Sequence, residues 1–206
     1  STSDITGLAN WVTNNPVTGS VDATGLFTVH HAGAGFISAS IGSVTGSTGF
    51  VGSNVSEALS RAGHDVLGFA RDASRIATPW AIRTVDYSTL DGLRSAMTDI
   101  DAVVHCAIAN DFNKLLNDRA AAFDAYVGLT DRIATVAADT GVHMIYISTD
   151  WVMDGEGHRE PESNPGNAVN FYGYLKALGE QAVRSRTDGR GTVTRIAGVM
   201  GRHRLT

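Results

Sequence analysis

The sequence predicts an α/β fold in which a parallel sheet is doubly wound, with helices on both faces. From about residue 37, short apolar runs alternate with longer amphipathic stretches, which is the pattern of parallel strands joined by helices. Glycines at positions 46, 49 and 52 lie where the first strand gives way to the first helix. The run 144–147 is almost wholly apolar, as expected of a parallel strand covered on both faces. Together these features predict a Rossmann-like sheet.

Each element follows from a local pattern. The first helix has its apolar residues near one face and Gly63 as its stop signal. The long helix is expected to break near Gly128 and to end at Gly141. The predicted strands are 37–44, 65–70, 81–85, 102–107, 144–147 and 193–199, and the predicted helices are 50–62, 90–97, 112–138 and 172–184.

Composition narrows the class of partner. The chain has 206 residues, enough for one domain with a real core, and a formal net charge of -5 without any run of lysine and arginine. That balance argues against nucleic acid and against an anionic membrane surface, and favours a small-molecule substrate. Cys106 is the only cysteine, so no intrachain disulfide can form. With no apolar signal region or membrane span in the sequence, we expect a cytoplasmic protein.

The chain divides into two parts of different composition. Residues 1–36 are dominated by glycine, serine, threonine and asparagine, and are interpreted as an unassigned leader or an added hairpin. His30 and His31 are adjacent and would point to opposite faces of a strand, with no carboxylate or cysteine cluster nearby, so no metal site is predicted. Residues 37–206 are predicted to be a dinucleotide-binding domain.

The glycine-rich segment is the predicted phosphate site. A glycine turn between strand and helix lets the backbone approach a pyrophosphate, and the helix directs its unpaired N–H groups and positive dipole end at the charge. The segment predicted to bind the cofactor comprises Gly46, Thr48, Gly49, Phe50, Val51 and Gly52.

The end of the second strand normally decides between the two nicotinamide dinucleotides. A carboxylate there binds the ribose hydroxyls of NAD, whereas an arginine pairs with the 2′-phosphate of NADP. Arg71 stands directly at the strand end with Asp72 beside it, so NADP is favoured and NAD stays possible. The alternative is that both are solvated loop charges. The other residues predicted to line the cofactor are Asp86 and Tyr87 at the adenine, and Ala107 and Ile108 after the fourth strand.

A second set of residues predicts redox chemistry. Tyr172 and Lys176 are one helical turn apart, which places a phenol and an ammonium on one face. A nearby ammonium favours the phenolate and so lowers the phenol pKa toward a useful range. Ser148 and Thr149 place hydroxyls at the carboxyl end of a buried strand, where parallel sheets bind ligands, and Asp150 either binds a ligand or caps a turn.

These motifs, in this order, resemble those of the extended short-chain dehydrogenase/reductases. The resemblance covers about residues 41–202, and the stretch 148–155 is most similar to that of the dTDP-4-dehydrorhamnose reductases. The motifs that carry it are 45–52, 148–155, 170–176, Gly179-Glu180 and 195–201.

The resemblance implies a role for each residue of the second set. Thr149 would orient a carbonyl, Tyr172 would be the general acid, and Lys176 would support it and bind the nicotinamide ribose. Where the family often has an asparagine in the long helix, this chain has Ala125, which puts a relay through that residue in doubt. Family members continue into a smaller lobe that grips a nucleotide sugar, and we expect that lobe to be largely absent from residues 1–206.

Three functions are compatible with this pattern. The first is an NAD(P)-dependent reductase or epimerase acting on a carbonyl of a nucleotide-linked sugar. The second is an NADP-dependent reductase of a small ketone or aldehyde. The third is a non-catalytic dinucleotide-binding regulatory subunit.

The long helix also predicts an assembly. Its apolar stripe is broader than packing on one sheet face requires. In the resembling family this helix pairs with the Tyr172 helix across a two-fold axis, so a homodimer is expected. The stripe comprises Leu115, Leu116, Phe123, Tyr126, Val127 and Ile133.

Overall fold

A computed structural model describes residues 12–13, 19–21, 27–29, 37–38, 42–74, 76–108, 115 and 117–199. The chain forms two units, residues 1–41 and 42–206. In the first unit, Val12–Thr13 pairs antiparallel with Ile37–Ser38, and Gly19–Val21 pairs antiparallel with Phe27–Val29. The histidines at 30 and 31 lie outside the described residues.

The second unit is built on a six-stranded parallel sheet, which confirms the predicted fold class. The strands are β1 (Gly42–Thr45), β2 (Val66–Ala70), β3 (Ala81–Thr84), β4 (Ala102–His105), β5 (His143–Thr149) and β6 (Thr192–Ile196). Their order in the sheet is β6-β5-β4-β1-β2-β3. The order reverses between β1 and β4, which is the usual ligand position in sheets of this kind.

One predicted strand is divided. The run 37–44 was expected to form a single strand, but Ile37–Ser38 belongs to the first unit and Gly42–Thr45 to the large sheet. The two pieces pair with different partners in different directions. An apolar pattern shows that a segment pairs, but it does not identify the partner.

The helices cover the sheet and begin at well-defined caps. Thr89, Asp118 and Asn170 each accept a hydrogen bond from the backbone N–H three residues later. The helices are α1 (Phe50–Arg61), α2 (Leu90–Ala96), α3 (Arg119–Phe123), α4 (Leu129–Thr140) and α5 (Phe171–Arg186). No helix in these described ranges is long and apolar enough to span a bilayer.

The predicted break in the long helix is a π turn. Asp124–Gly128 lies between α3 and α4 and has the wider π-helical hydrogen bonding. A Cβ on Gly128 would meet the carboxylate of the exposed Asp124 side chain, which would have to move to make room. The helix ends at Thr140 with Gly141 in the left-handed conformation, φ 76°, as predicted. The predicted start at 112 lies outside the described residues.

The main core lies between the sheet and helices α2, α4 and α5. Its fully buried members come from every layer, so the helices that carry the candidate site residues are packed against the strands that carry the rest. The largest of these buried side chains are Phe69, Leu93, Ile133, Met144 and Tyr146.

Candidate cofactor and active site

The glycine turn (residues 46–52) is shaped by close backbone contacts. Gly46 has φ 71°, and a Cβ there would lie 2.9 Å from the Cα of Ala107. The Gly49 N–H donates to the Gly46 carbonyl at 2.9 Å, and Gly49 is the N-cap of α1. A Cβ on Gly52 would overlap that same carbonyl. Only glycine fits, and the turn therefore presents bare backbone at the start of a helix, which suits a pyrophosphate.

The two charged residues after β2, Arg71 and Asp72, differ in their hydrogen bonding. The Asp72 carboxylate accepts from the Ser74 hydroxyl at 2.6 Å and from its N–H at 2.9 Å, and these bonds lower the Asp72 pKa. Arg71 is exposed, and its charge acts on the Tyr87 phenol, so the two side chains lie near one another. Because Asp72 is held in its own turn, Arg71 is the better placed of the two to meet a ligand.

The segment after β3 is held from two sides. The Asp86 carboxylate accepts from the Ser88 hydroxyl, the Ser88 N–H and the Thr89 hydroxyl, and these bonds lower its pKa. The Tyr87 carbonyl accepts from Arg132 Nε at 3.0 Å. Burial raises the pKa of the Tyr87 phenol above its usual value. These contacts fix the backbone at 86–87 beside α2 and α4.

The residues after β4 lie beside the glycine turn. The backbone of Ala107 lies so close to Gly46 that a residue with a side chain would not fit at position 46. Ile108 is exposed. The structure therefore brings the predicted cofactor residues after β1 and β4 together.

The chemical residues meet at the carboxyl end of β5. Thr149 is the last residue of that strand, and its hydroxyl donates to Asp150 Oδ1 at 3.1 Å and accepts from the Trp151 N–H at 3.2 Å. The Tyr172 ring packs edge-on against Trp151, with 5.9 Å between centroids. Lys176 Nζ donates to the Ile147 carbonyl at 2.6 Å. Thr149, Tyr172 and Lys176 are thus gathered around one strand end.

The charges of this centre differ from the expectation. Burial lowers the pKa of Lys176 to about 8, while burial and the nearby Asp150 carboxylate raise the pKa of Tyr172. The predicted lowering of the Tyr172 pKa by Lys176 is therefore not found. The ammonium is directed at the Ile147 carbonyl and lies over the Tyr146 ring, 4.1 Å from its centroid. A neutral phenol remains able to donate a proton.

Sequence reasoning gave no role to a buried carboxylate. Glu180 is 0 % exposed and binds Ser148 and Arg195. The sequence offered two signals for it: Glu180 belongs to one of the motifs that carry the resemblance, and it follows Lys176 by four residues and Tyr172 by eight, which places all three near one helix face. Arg195, which falls in the strand predicted at 193–199, lies within β6.

A second set of buried polar side chains is connected by hydrogen bonds across the sheet. His105 Nδ1 lies 2.8 Å from the Thr45 hydroxyl and His105 Nε2 lies 3.1 Å from the Thr130 hydroxyl. The Thr130 hydroxyl donates to the Tyr126 carbonyl in the π turn at 2.6 Å. Burial, with a smaller contribution from the Lys176 charge, lowers the pKa of His105 to about 3. These hydrogen bonds connect β1, β4 and the π turn through the neutral imidazole of His105.

The strand order, the glycine turn and the Thr149, Tyr172 and Lys176 set are those of the short-chain dehydrogenase/reductase class of dinucleotide-binding proteins. Within that class the chain belongs to the RmlD substrate binding domain family, whose sequence pattern matches residues 43–205.

The chain is similar to relatives with different names. The chain is 30% identical over 161 residues to a dTDP-4-keto-6-deoxy-D-glucose reductase of Streptomyces niveus, covering 78% of this chain and 53% of that protein. It is 27% identical over 155 residues to methionine adenosyltransferase 2 subunit beta of Xenopus tropicalis, covering 71% and 43%. The chain thus spans about half the length of the relatives it matches.

Solved structures show the same fold. The crystal structure of dTDP-4-dehydrorhamnose reductase from Bacillus anthracis, in complex with NADP, superposes with a TM-score of 0.62 at 22% identity. The match covers 75% of this chain and 52% of that one.

Proposed function

We propose that this chain is the dinucleotide-binding and catalytic part of an NADP-dependent oxidoreductase or epimerase that acts on a carbonyl of a nucleotide-linked sugar. The observation that carries the proposal is the grouping of Thr149, Tyr172 and Lys176 at the end of β5. The reductase of Streptomyces niveus supports the substrate class by its name and its 30% identity.

The residues present fit a nicotinamide dinucleotide. The turn at 46–52 excludes side chains where a pyrophosphate would lie, and Arg71 is exposed where a 2′-phosphate would lie. When bound, such a cofactor supplies or accepts a hydride. Ala107 and Ile108 would line it beside the turn, and Lys176 would bind its ribose.

The protein's own residues then handle the proton. The Tyr172 phenol, whose pKa is raised by burial and by Asp150, stays neutral and donates its proton to the carbonyl oxygen. The Thr149 hydroxyl, which now donates to Asp150, can turn to donate to the same oxygen and orient it. In the reverse direction the phenolate form of Tyr172 would accept the proton, and the Lys176 ammonium would favour that ionised form.

The test compares two tyrosines on one helix. Tyr172→Phe removes one oxygen from a ring packed on Trp151, whereas Tyr174→Phe removes one from a side chain that is 54% exposed. NADPH oxidation is measured with nucleotide-linked 4-keto sugars and with simple ketones and aldehydes. Tyr172→Phe should lower turnover by about 10²–10⁴, the range for a positioned general acid, with NADPH affinity retained. Tyr174→Phe should match wild type.

Each other outcome has a meaning. Turnover of simple ketones alone would replace the sugar substrate with a small carbonyl compound. Full activity of Tyr172→Phe would remove that residue from the mechanism.

A regulatory subunit is the second candidate. It is favoured by the relative named methionine adenosyltransferase 2 subunit beta. NADPH binding without turnover of any carbonyl, even by the longest natural polypeptide, would support this candidate over the enzyme.

We also propose a homodimer whose interface is formed by α5 and by the long helix that comprises α3, the π turn and α4. Of the predicted stripe, Leu115, Tyr126 and Ile133 are buried within the domain itself. Phe123 is 47% exposed and borders a groove with Leu178 of α5. Sedimentation at micromolar concentration should show a dimer that Phe123→Arg dissociates, and a wild-type monomer would contradict the assembly.

A further inference from the structure

We propose that Glu180 is a positioning residue, whose buried carboxylate fixes α5 against the ends of β5 and β6, one helical turn after Lys176. Its catalytic consequence rests on the function proposed above, but its physical consequence does not. Glu180 does not have to contact the substrate to have this role.

The carboxylate is saturated by donors from three elements. Oε1 accepts from the Ser148 hydroxyl at 2.6 Å and from Arg195 Nε at 2.8 Å. Oε2 accepts from Arg195 Nη2 at 2.7 Å and from Arg184 Nη2 at 3.0 Å. Burial raises the pKa of Glu180, but the bonds from Arg195 and Ser148 outweigh it and lower the pKa overall. The group is therefore an anion inside the protein.

These contacts set the position of α5 along the sheet. Ser148 and Arg195 are register partners on β5 and β6, and both reach the same carboxylate. One helical turn earlier, Lys176 donates to the Ile147 carbonyl. Two successive turns of α5 are thus fixed to successive residues of β5. Because Tyr172 is on the same helix and Thr149 follows on the same strand, these contacts also fix the relation between the phenol and the hydroxyl.

The same pair holds the segment that leads into α5. Arg195 Nη2 also donates to the Asn164 carbonyl at 2.8 Å. The Asn164 side chain accepts from the Gly166 N–H at 2.9 Å, and the Asn167 N–H donates to the Val152 carbonyl at 2.9 Å. The segment then reaches the N-cap of α5. Glu180 orients Arg195, and Arg195 in turn holds the segment that leads into the helix carrying Tyr172.

The charges around Lys176 explain why the anion is needed. Two neighbouring groups raise the Lys176 pKa, Cys106 after β4 and Glu180 on α5, and the Lys176 charge in turn lowers the pKa of His105 on β4. Burial lowers the pKa of Lys176, and His105 is neutral, while burial raises the pKa of the Cys106 thiol to about 12. Glu180 is thus the group among them that is ionised at neutral pH. Without its charge the pKa of Lys176 should fall further, and Arg195 and Arg184 would remain as unbalanced cations.

The composition of the chain allows a direct measurement. Its only lysines are Lys114 and Lys176. In the 206-residue chain labelled with ¹³C at the lysine Cε, Lys114→Arg leaves a single signal, which reports the Lys176 pKa between pH 6 and 10. Glu180→Gln in this background should lower that pKa by at least about 0.5, the expected order for losing a neighbouring charge. Glu57→Gln, which breaks the Arg61 pair on the surface of α1, should leave it unchanged.

A second variant separates charge from position. Glu180→Asp keeps the charge and shortens the reach, so the Lys176 pKa should stay near wild type while kcat falls at least about tenfold through loss of orientation. In Glu180→Gln the alkaline limb of the kcat/KM profile should also move to lower pH, because a deprotonated Lys176 no longer supports the phenol.

The outcomes separate the two proposals. An unchanged Lys176 pKa in folded Glu180→Gln overturns the charge role, and full activity of Glu180→Asp overturns the positioning role. If Glu180→Gln does not fold, Arg195→Lys tests the same link: it should lower kcat, and a wild-type kcat would overturn the proposal. Absence of turnover in wild type, with the expected change in Lys176, would reject the proposed function alone.

Discussion

The glycine turn and the centre around Tyr172 lie at the carboxyl ends of strands in one sheet, but different parts of the chain build them. At the turn, side chains are excluded: Gly46 and Gly52 are required because a Cβ would meet backbone atoms. At the centre, side chains are essential: Lys176, Glu180 and Ser148 are all buried and hydrogen-bonded. The first region works by shape, and the second by buried charge.

Because of this difference, the two regions should respond differently to a mutation. Backbone crowded by an added atom cannot relax as a side chain can, so a single methyl should disturb the turn locally. A buried anion holds several partners at once, so a change at Glu180 should be felt along α5, β5 and β6.

The largest effect is expected from adding one methyl to the turn. In Gly52→Ala the new Cβ overlaps the Gly46 carbonyl, so we expect about 3 kcal/mol of lost folding stability, the upper end for overpacking, with weaker NADPH binding. Gly198→Ala is the matched control, because nothing lies within 4 Å of its Cβ position. Urea unfolding and NADPH titration measure both. Equal stability of the two variants would show that the turn is not limited by shape.

A smaller effect is expected at Arg71, an exposed arginine at the cofactor end. Arg71→Ala should weaken NADPH binding by about 1.5–3 kcal/mol, the scale of a hydrogen bond to a charged group, and leave NADH binding nearly unchanged. Arg61→Ala, which removes an exposed arginine from α1, is the control. Isothermal titration against both cofactors gives the values. Equal losses for NADPH and NADH would mean that Arg71 does not contact the 2′-phosphate.

Sequence reasoning reached the turn more completely than the centre. Glycine spacing, the strand before it and the helix after it are local, and the predicted helix at 50–62 corresponds to α1. The order of strands and helices was likewise predicted from short periodic patterns. The exception was the run 37–44, where pairing with Val12–Thr13 depends on residues far away in sequence.

The centre depends on contacts that no local pattern contains. Glu180 meets Ser148, 32 residues earlier, and Arg195, 15 residues later. Spacing placed Tyr172 and Lys176 on one helix, but the direction of the Tyr172 pKa is set by burial and by Asp150. Sequence shows which groups can ionise, whereas the fold decides which of them are removed from water.

The position of Arg195 also bears on which part of the chain can evolve or be engineered as a unit. It lies on β6, the strand at one edge of the described sheet. This edge strand carries one of the counter-charges of Glu180. A protein cut before β6 would lose Arg195 and leave Glu180 with Ser148 and the exposed Arg184 as partners, and breaking a buried ion pair typically costs about 3–5 kcal/mol. The part of the chain that holds the Tyr172 helix in place therefore extends through β6.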